Sequence, residues 1–543
     1  MKQKKSQRPV WLKTAVGLIL GIIGFCIPLF VTFTGLSFAG HITLGIFLMA
    51  AVFWMMEPIP IYSTSMLVIF LQVAFLSSQS PLFSEAELPG TEIQMVSEEI
   101  WSVPASAIGS GDQVFLRIGP RSSEAVEVEI VQAQNDTVLI RGNFEEGAMI
   151  VSDAGHRLTG YTPVGFSVFF GTLASPIIIL FLGGFMLAGA AVKYNLDKNL
   201  TSVLLKPFGT KPMFIVLGLM LVTAVLSAFM SNTATTAMMM TVAIPIAAQV
   251  AKEDGFRIML ALSIPIAANI GGMATPIGTP PNAIVISALN AQGINIAFGT
   301  WMILALPLVA VLILAAWGIM RVFFPPKIEK FKLDLTSKFQ TSPKALMLYF
   351  FFGLTVVLWV TEAQHGVPSS MVAFLPIAGL TVTSIMEKED IRALPWEVLW
   401  LVAGGIALGI SMENTGLAVW IVSSISWDVM PQIVLLLVFG LVALFMSNFL
   451  SNTVTATLLI PLAVSMGTSG IAGDGFNLII SALLIGMACN MAMLLPISTP
   501  PNAIAMSTGF IKTGDMIKVG LVIGFVGIGI ALILSLFYWP LLV

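Results

Sequence analysis

The sequence predicts an all-α polytopic membrane protein, built from inverted repeats with two re-entrant hairpins and broken helices, plus one small β-rich extracytoplasmic insertion. Three observations predict it. Of 543 residues, 57% are hydrophobic and 10% charged, against roughly 25% charged in soluble domains. Apolar runs of bilayer length recur, among them Leu12–Phe33, Met302–Phe324 and Val519–Leu542, each enough for a helix of about 20 residues to cross the hydrocarbon core. Two polar motifs also return at one fixed offset along the chain.

In chain order, hydropathy predicts helices near 12–34, 39–57, 60–79, 168–193, 256–290, 299–324, 343–361, 366–386, 393–412, 475–508 and 519–541. Two more apolar stretches, about 212–250 and 432–466, are broken in the middle by polar residues. The first run follows a basic N-terminus and is too long for a signal peptide, so it reads as an uncleaved helix. Lys and Arg cluster at 2–13, 193–211, 252–257, 327–344, 388–392 and 512–518, whereas the loops 289–300, 362–370 and 466–476 contain neither. This asymmetry predicts a cytoplasmic N-terminus in the inner membrane and, after eleven crossings, an extracytoplasmic C-terminus, provided both broken stretches enter and leave on one side.

The repeat is read from the motifs. Ser231-Asn232-Thr233 returns as Ser451-Asn452-Thr453, and Thr279-Pro280-Pro281-Asn282-Ala283-Ile284 returns as Thr499-Pro500-Pro501-Asn502-Ala503-Ile504, both 220 residues later. Gly183-Gly184 and Gly404-Gly405 match at 221. Cytoplasmic charge surrounds the first broken stretch and is absent around the second, so the halves have opposite topology, an architecture that puts a binding site at the repeat interface. The expected organisation is N-terminal helices over 1–79, the insertion over 80–165, the rest of the first repeat over 166–324, a cytoplasmic linker over 325–342 and the second repeat over 343–543.

Trp54 and Glu57 correspond to Trp359 and Glu362, which leaves about 84 extra residues in the first half, at 80–165. That segment holds 13 of the 28 acidic residues and four Arg. It alternates like strands at 114–118, 126–130 and 137–141, between turns at Gly119-Pro120, Asn135-Asp136 and Gly142-Asn143. Asn135-Asp136-Thr137 also fits a glycosylation sequon, a pattern common by chance. From Val103-Pro104 through Gly111-Asp112 to Gly147 and Val151 the segment resembles the small β domain of periplasmic adaptor subunits of efflux pumps. A spacer or dimer cap is the plainer reading.

The formal charge of −3 says little about partners. No phosphate-binding glycine loop is present, which disfavours ATP-driven transport within the chain. His41, His156 and His365 lie far apart, and Cys26 and Cys489 sit in apolar runs, so neither a zinc nor a haem site is indicated. The chemistry lies in the triplets. Ser, Asn and Thr start helices well, and a helix start directs N–H groups and partial positive charge outward. Two such tips hold an anion without burying an Arg. Pro276, Pro280 and Pro281, and likewise Pro496, Pro500 and Pro501, remove donors and unwind their helices, which is tolerated in a membrane where protein buries the backbone. The freed carbonyls, with Ser, Thr and Asn oxygens, suit Na⁺.

The paired Ser-Asn-Thr and Thr-Pro-Pro-Asn motifs resemble the divalent anion–sodium symporter family, over nearly the whole chain outside 80–165. The resemblance implies a homodimer working by an elevator mechanism. It implies substrate contacts from Ser231, Asn232, Thr233, Thr279, Ser451, Asn452, Thr453, Thr499 and Pro500. It implies one Na⁺ site at Ser227, Ser231, Asn232 and the Gly278 backbone, and a second at Ser447, Asn452 and backbone near Leu450 and Ser498. Na⁺-coupled uptake of C4-dicarboxylates such as succinate is the leading expectation. Na⁺-independent exchange, transport of sulfate or tricarboxylates, and an export complex docking a partner through 80–165 are the alternatives. No nucleophile–base or metal constellation supports an enzyme.

Overall fold

The computed structural model describes residues 10–31, 33–80, 82, 90–97, 99–104, 108–109, 113–119, 122–133, 137–142, 144, 147–151, 161, 163–331, 339–423, 430–469 and 476–543. The basic N-terminus through residue 9, Gly111-Asp112, Pro120, Asn135-Asp136, Asn143, His156, and Lys332 and Lys338 of the linker lie outside the described residues. Among those described, eight helices are long and apolar enough to cross a membrane, and shorter apolar helices accompany them. The chain divides into two compact units, residues 1–171 with 407–425, and residues 172–406 with 426–543.

The first unit begins with α1 (Val10–Phe30), α2 (Phe38–Met56) and α3 (Ile61–Leu76). Ser37 starts α2 by accepting from Gly40 N at 3.0 Å and donates its hydroxyl to Thr415 O at 3.0 Å. Glu57 ends α2 with a left-handed backbone, φ 49°, and Pro58 and Pro60 prevent its continuation. Nine short strands follow: β1 (Gly90–Glu92), β2 (Gln94–Ser97), β3 (Ile100–Pro104), β4 (Ile108–Gly109), β5 (Gln113–Gly119), β6 (Ser122–Glu127), β7 (Glu129–Ala133), β8 (Thr137–Arg141) and β9 (Met149–Val151). They form two antiparallel sheets, one ordered β1-β9-β5-β4 with β6 also on β5, the other β2-β3-β8-β7. Alternation sends Trp101, Val103, Val138 and Ile140 into a shared core with Val114, Phe144 and Ile150, as period-two patterning requires. Fully burying each such side chain contributes roughly 1.5–3 kcal/mol. The Trp101 indole donates to Gly142 O at 3.0 Å.

The strands leave and rejoin the helices at one place. Ser77 bridges Val164, and the Tyr161 hydroxyl donates to Leu76 O at 2.6 Å. Burial pushes this phenol's pKa up to about 12, with the Val164 backbone pulling it partly back. The insertion is thus spliced between α3 and α4 (Phe166–Gly171).

The second unit is helical. It contains α5 (Pro176–Lys193), α6 (Leu196–Leu205), α7 (Pro212–Ser227), α8 (Asn232–Ala248), α9 (Gly255–Gly272), α10 (Pro280–Ala291) and α11 (Phe298–Phe323). After the linker come α12 (Pro343–Val360), α13 (Glu362–His365), α14 (Ser369–Val372), α15 (Phe374–Val382), α16 (Lys388–Arg392) and most of α17 (Trp396–Asn414). α18 (Leu417–Ser423) returns to the first unit. The second unit closes with α19 (Gln432–Phe449), α20 (Asn452–Ser469), α21 (Leu478–Cys489), α22 (Pro500–Ser507) and α23 (Thr513–Phe537).

Both apolar stretches with polar middles are helical hairpins, α7–α8 and α19–α20, and both proline-rich runs are broken helices, α9–α10 and α21–α22. The match between halves extends to tryptophan: Trp54 donates to Ile61 O at 3.3 Å and Trp359 to Ser369 O at 2.9 Å. Their neighbouring acids differ. Glu57 is exposed, whereas Glu362 is buried and accepts from Phe298 N at 2.7 Å and Ser369 N at 3.1 Å, capping α11. Two elements differ from the hydropathy reading. The run 366–386 starts after Pro368 and is split into α14 and α15 at Ala373, where Pro376 has no N–H to give Val372 O. Helix α6 is ten residues long and amphipathic, too short and polar to cross a bilayer; it buries Leu196, Asp197, Thr201 and Leu205.

Candidate substrate and cation site

Each hairpin tip is a helix start, for the reason the sequence suggests. Ser231 Oγ accepts from Ala234 N at 3.2 Å and Ser451 Oγ accepts from Val454 N at 3.2 Å. Helices α8 and α20 therefore begin at Asn232 and Asn452. Ser231, Asn232, Ser451 and Asn452 are half-buried, Thr453 is buried and Thr233 is exposed. Beside each tip lies the unwound segment of its own half. Residues 273–279 and 490–499 are not helical, and in both the same turn bond forms, Gly278 N to Thr275 O at 3.3 Å and Ser498 N to Leu495 O at 3.1 Å. The asparagines of the Thr-Pro-Pro-Asn motifs hold these turns, Asn282 Nδ2 donating to Thr275 O at 2.7 Å and Asn502 Nδ2 to Leu495 O at 3.0 Å.

In the first half, three of the expected groups, Ser227, Asn232 and the Gly278 backbone, converge together with Ala268 O, which the sequence did not single out, while the Ser231 hydroxyl caps α8 instead. Ser227 Oγ lies 2.7 Å from the inner carboxamide atom of Asn232 and 2.9 Å from Ala268 O. The same Asn232 atom stands 3.1 Å from Ala268 O and 3.2 Å from Gly278 O. With nitrogen inward, the amide donates to all three oxygens. With oxygen inward, it can accept the Ser227 hydroxyl hydrogen but also faces the Ala268 and Gly278 carbonyl oxygens, a set that a cation would complement. The hydrogen bonds favour nitrogen inward, and the other orientation is a half-turn of one amide away. The backbone approach needs glycine. A Cβ on Gly278 would collide with the Gly272 carbonyl, and one on Gly272 would collide with the Asn232 side chain.

In the second half the oxygens are less engaged. Ser447 Oγ lies beside the Cys489 thiol and has no nitrogen or oxygen partner, and Asn452 Oδ1 is buried without a partner. Leu450 ends α19, its N–H donating to Met446 O at 2.7 Å. The Ser498 hydroxyl is turned inward, donating to Asn448 O at 3.0 Å and Asn448 Oδ1 at 3.2 Å.

Asn448 is a site residue that motif matching missed. Its Oδ1 accepts from Leu494 N at 2.9 Å, so with Ser498 it ties the unwound segment to the hairpin tip. The first half makes the same tie from another position: Thr275 donates to Ala228 O, where Ala228 occupies the place of Asn448. The signal was an asparagine adjoining Ser447 in an otherwise apolar helix. Asn269 and Asn490 were missed too. They join the halves, Asn269 Nδ2 lying 3.2 Å from Thr499 Oγ1 and Thr279 Oγ1 lying 2.9 Å from Asn490 Oδ1. Pro500 is exposed beside Thr499.

The sequence profile described as "Citrate transporter" matches residues 147–483. An uncharacterised transporter of Haemophilus influenzae is 31% identical over 67% of this chain and 82% of its own length. Sodium-dependent high-affinity dicarboxylate transporter 3 of Caenorhabditis elegans is 31% identical over 63% of this chain and 70% of its own. Sodium-dependent dicarboxylate transporter SdcS of Staphylococcus saprophyticus is 31% identical over 67% and 76%. The profile spans more than half the chain. This chain therefore belongs to the citrate transporter family, as a transporter of the divalent anion–sodium symporter type.

Proposed function

We propose that this protein couples Na⁺ entry to uptake of a small dicarboxylate such as succinate across the inner membrane. The observation that carries the reading is the convergence of Ser227 Oγ, Ala268 O and Gly278 O on one atom of the Asn232 carboxamide, each within 3.2 Å of it. Oxygen donors of this kind, uncharged and partly backbone, suit a hard monovalent cation. In this reading the Asn232 amide couples the two ligands. Nitrogen faces inward when the cation is absent; when it binds, oxygen turns inward and the amide N–H groups turn toward the substrate. A carboxylate accepts hydrogen bonds and donates none, so it meets a donor at Asn232 only after the cation has bound.

Asn452, with Ser447, Leu450 and Ser498, forms the second cation site, and Ser231 contributes to the first. Two cations then offset the two charges of a dicarboxylate. Ser231, Thr233, Ser451 and Thr453 offer hydroxyls at the two tips, and Thr279, Thr499 and Pro500 close the pocket from the unwound segments. The two halves, with the linker at 325–342 between them, act as inverted repeats whose transport elements move as an elevator within a homodimer. The N-terminus is cytoplasmic, and the C-terminus and the 80–165 insertion are extracytoplasmic, where the insertion is free to meet a partner. The protein carries its solute unchanged and is not an enzyme.

The test is uptake of labelled succinate into proteoliposomes under an inward Na⁺ gradient, with citrate and sulfate as competitors. The reading expects uptake that requires the gradient and is displaced best by succinate. Uptake unaffected by Na⁺ would refute the coupling, and stronger displacement by sulfate or citrate would reassign the substrate.

A further inference from the structure

We infer that Asn269 and Asn490 are positioning residues that give the paired threonines opposite hydrogen-bond polarity, holding Thr499 ready to donate to the transported anion and Thr279 as a donor to the protein itself. The inference rests on the anion-transport reading above and deepens it.

The polarity follows from fixed points. In the first half, Asn282 Nδ2 is anchored on Gly272 O at 3.0 Å and Thr275 O at 2.7 Å. Its Oδ1 therefore faces the other way, toward Asn490 at 3.4 Å. Two amide oxygens repel, so Asn490 must present Nδ2 there, an orientation that Gly486 O also favours at 2.9 Å. Asn490 Oδ1 is then the atom 2.9 Å from Thr279 Oγ1. An amide oxygen only accepts, so Thr279 spends its hydrogen on Asn490.

In the second half the same logic gives the opposite result. Asn502 Nδ2 is anchored on Leu495 O at 3.0 Å, which turns its Oδ1 to Asn269 at 3.4 Å. Asn269 must present Nδ2, and that nitrogen is also 3.2 Å from Thr499 Oγ1. An amide nitrogen only donates, so Thr499 accepts. It accepts again from Asn502 N at 3.4 Å, a cap that Thr279 does not make. Both acceptor positions of Thr499 are filled and its hydrogen remains to be given. Asn269 Oδ1 is buried without a partner, and turning the amide over would not relieve this, since it would set Asn269 Oδ1 against Asn502 Oδ1. The two asparagines stand 221 residues apart, the offset of the glycine pairs, one more than the offset of the motifs they hold. Asn269 lies in the last turn of α9 and Asn490 caps the end of α21, yet they direct the two hydroxyls oppositely.

The experiment measures succinate binding by calorimetry at saturating Na⁺ on the full chain in lipid nanodiscs, with thermal unfolding of every variant. The variants are Thr499→Val, Thr279→Val, Asn269→Asp and the double variant Asn269→Asp with Thr499→Val. A carboxylate at 269 would capture the Thr499 hydrogen. Thr499→Val and Asn269→Asp should each weaken succinate about tenfold or more, the range for a hydrogen bond to a charged group. The double variant should bind no more weakly than Thr499→Val alone. Thr279→Val should cost several-fold less affinity than Thr499→Val while lowering thermal stability. Equal losses at the two threonines would overturn the inference, as would a full additional loss from Asn269→Asp in the Thr499→Val background, which would mean simple charge repulsion. If Asn269→Asp does not fold, the ranking of the two threonine variants still decides. If the unaltered protein binds none of succinate, citrate or sulfate with Na⁺, the transport reading itself falls. If it binds one and the ranking is absent, only this inference falls.

Discussion

Removing the two equivalent serines, Ser227 and Ser447, should separate fold stability from cation binding. Ser227 Oγ is buried and joins the Asn232 carboxamide at 2.7 Å to Ala268 O at 2.9 Å. Ser447 Oγ is equally buried but has no nitrogen or oxygen partner. Ser227→Ala deletes a satisfied internal hydrogen bond, which costs about 1 kcal/mol in the cation-free protein. Ser447→Ala deletes a hydroxyl with only a thiol beside it, so it should be neutral or slightly stabilising there. Toward Na⁺ the two should behave alike, since each removes one oxygen ligand. At roughly 1.5–3 kcal/mol for an interaction with a charged group, the Na⁺ concentration for half-maximal uptake should rise about tenfold or more. The assay is thermal unfolding in choline and in Na⁺, paired with Na⁺ titration of succinate uptake. Destabilisation of the cation-free protein by Ser447→Ala as large as by Ser227→Ala would refute the assignment of an engaged and an unengaged site. An unchanged Na⁺ titration in both variants would refute the cation sites altogether.

Three further outcomes are expected. Asn232→Ala or Asn452→Ala should abolish transport while gel filtration still shows a folded protein eluting as the unaltered one does; normal uptake in both variants would remove the tips from the mechanism. Deletion of 80–165 should leave measurable transport, because the strands have their own core and rejoin the helices at the Ser77–Val164 bridge; complete loss in a well-folded deletion would argue otherwise. Burial raises the Asp197 carboxyl above the usual range, against smaller opposing pulls from the Lys198 N–H and charge. A carboxyl whose pKa is higher in the folded chain takes up a proton on folding, so it favours the fold at low pH, and that contribution fades as pH rises through its raised value. Asp197→Asn should therefore raise the unfolding temperature most at neutral and alkaline pH and flatten its pH dependence; an unchanged profile would contradict the burial argument.

The sequence carried the helical plan well because bilayer physics writes itself into long apolar runs. It carried the geometry of the two candidate tips nearly as well, because Ser231 and Ser451 cap helices where Ser-Asn-Thr interrupts such a run. It was silent where a residue's role depends on its partner across the repeat. Asn269 lies in an apolar stretch and reads as an isolated polar residue until Thr499 is found beside it, 230 positions away. Asn448 was hidden because its counterpart is Ala228, so comparing the halves offered no match. Helix α6 escaped because an amphipathic helix of ten residues is too polar and short for a hydropathy search. The split of 366–386 was written in Pro368 and Pro376, but unbroken hydropathy outweighed them.

In the proposed mechanism cation and anion cross together because one amide, Asn232, serves both. The direct measurement follows radioactive sodium and labelled succinate entering the same proteoliposomes, each with the other present or withheld. The account predicts that neither solute enters without the other and that Asn232→Ala stops both. Succinate entry in sodium-free medium at the full rate, or sodium entry without succinate, would contradict it.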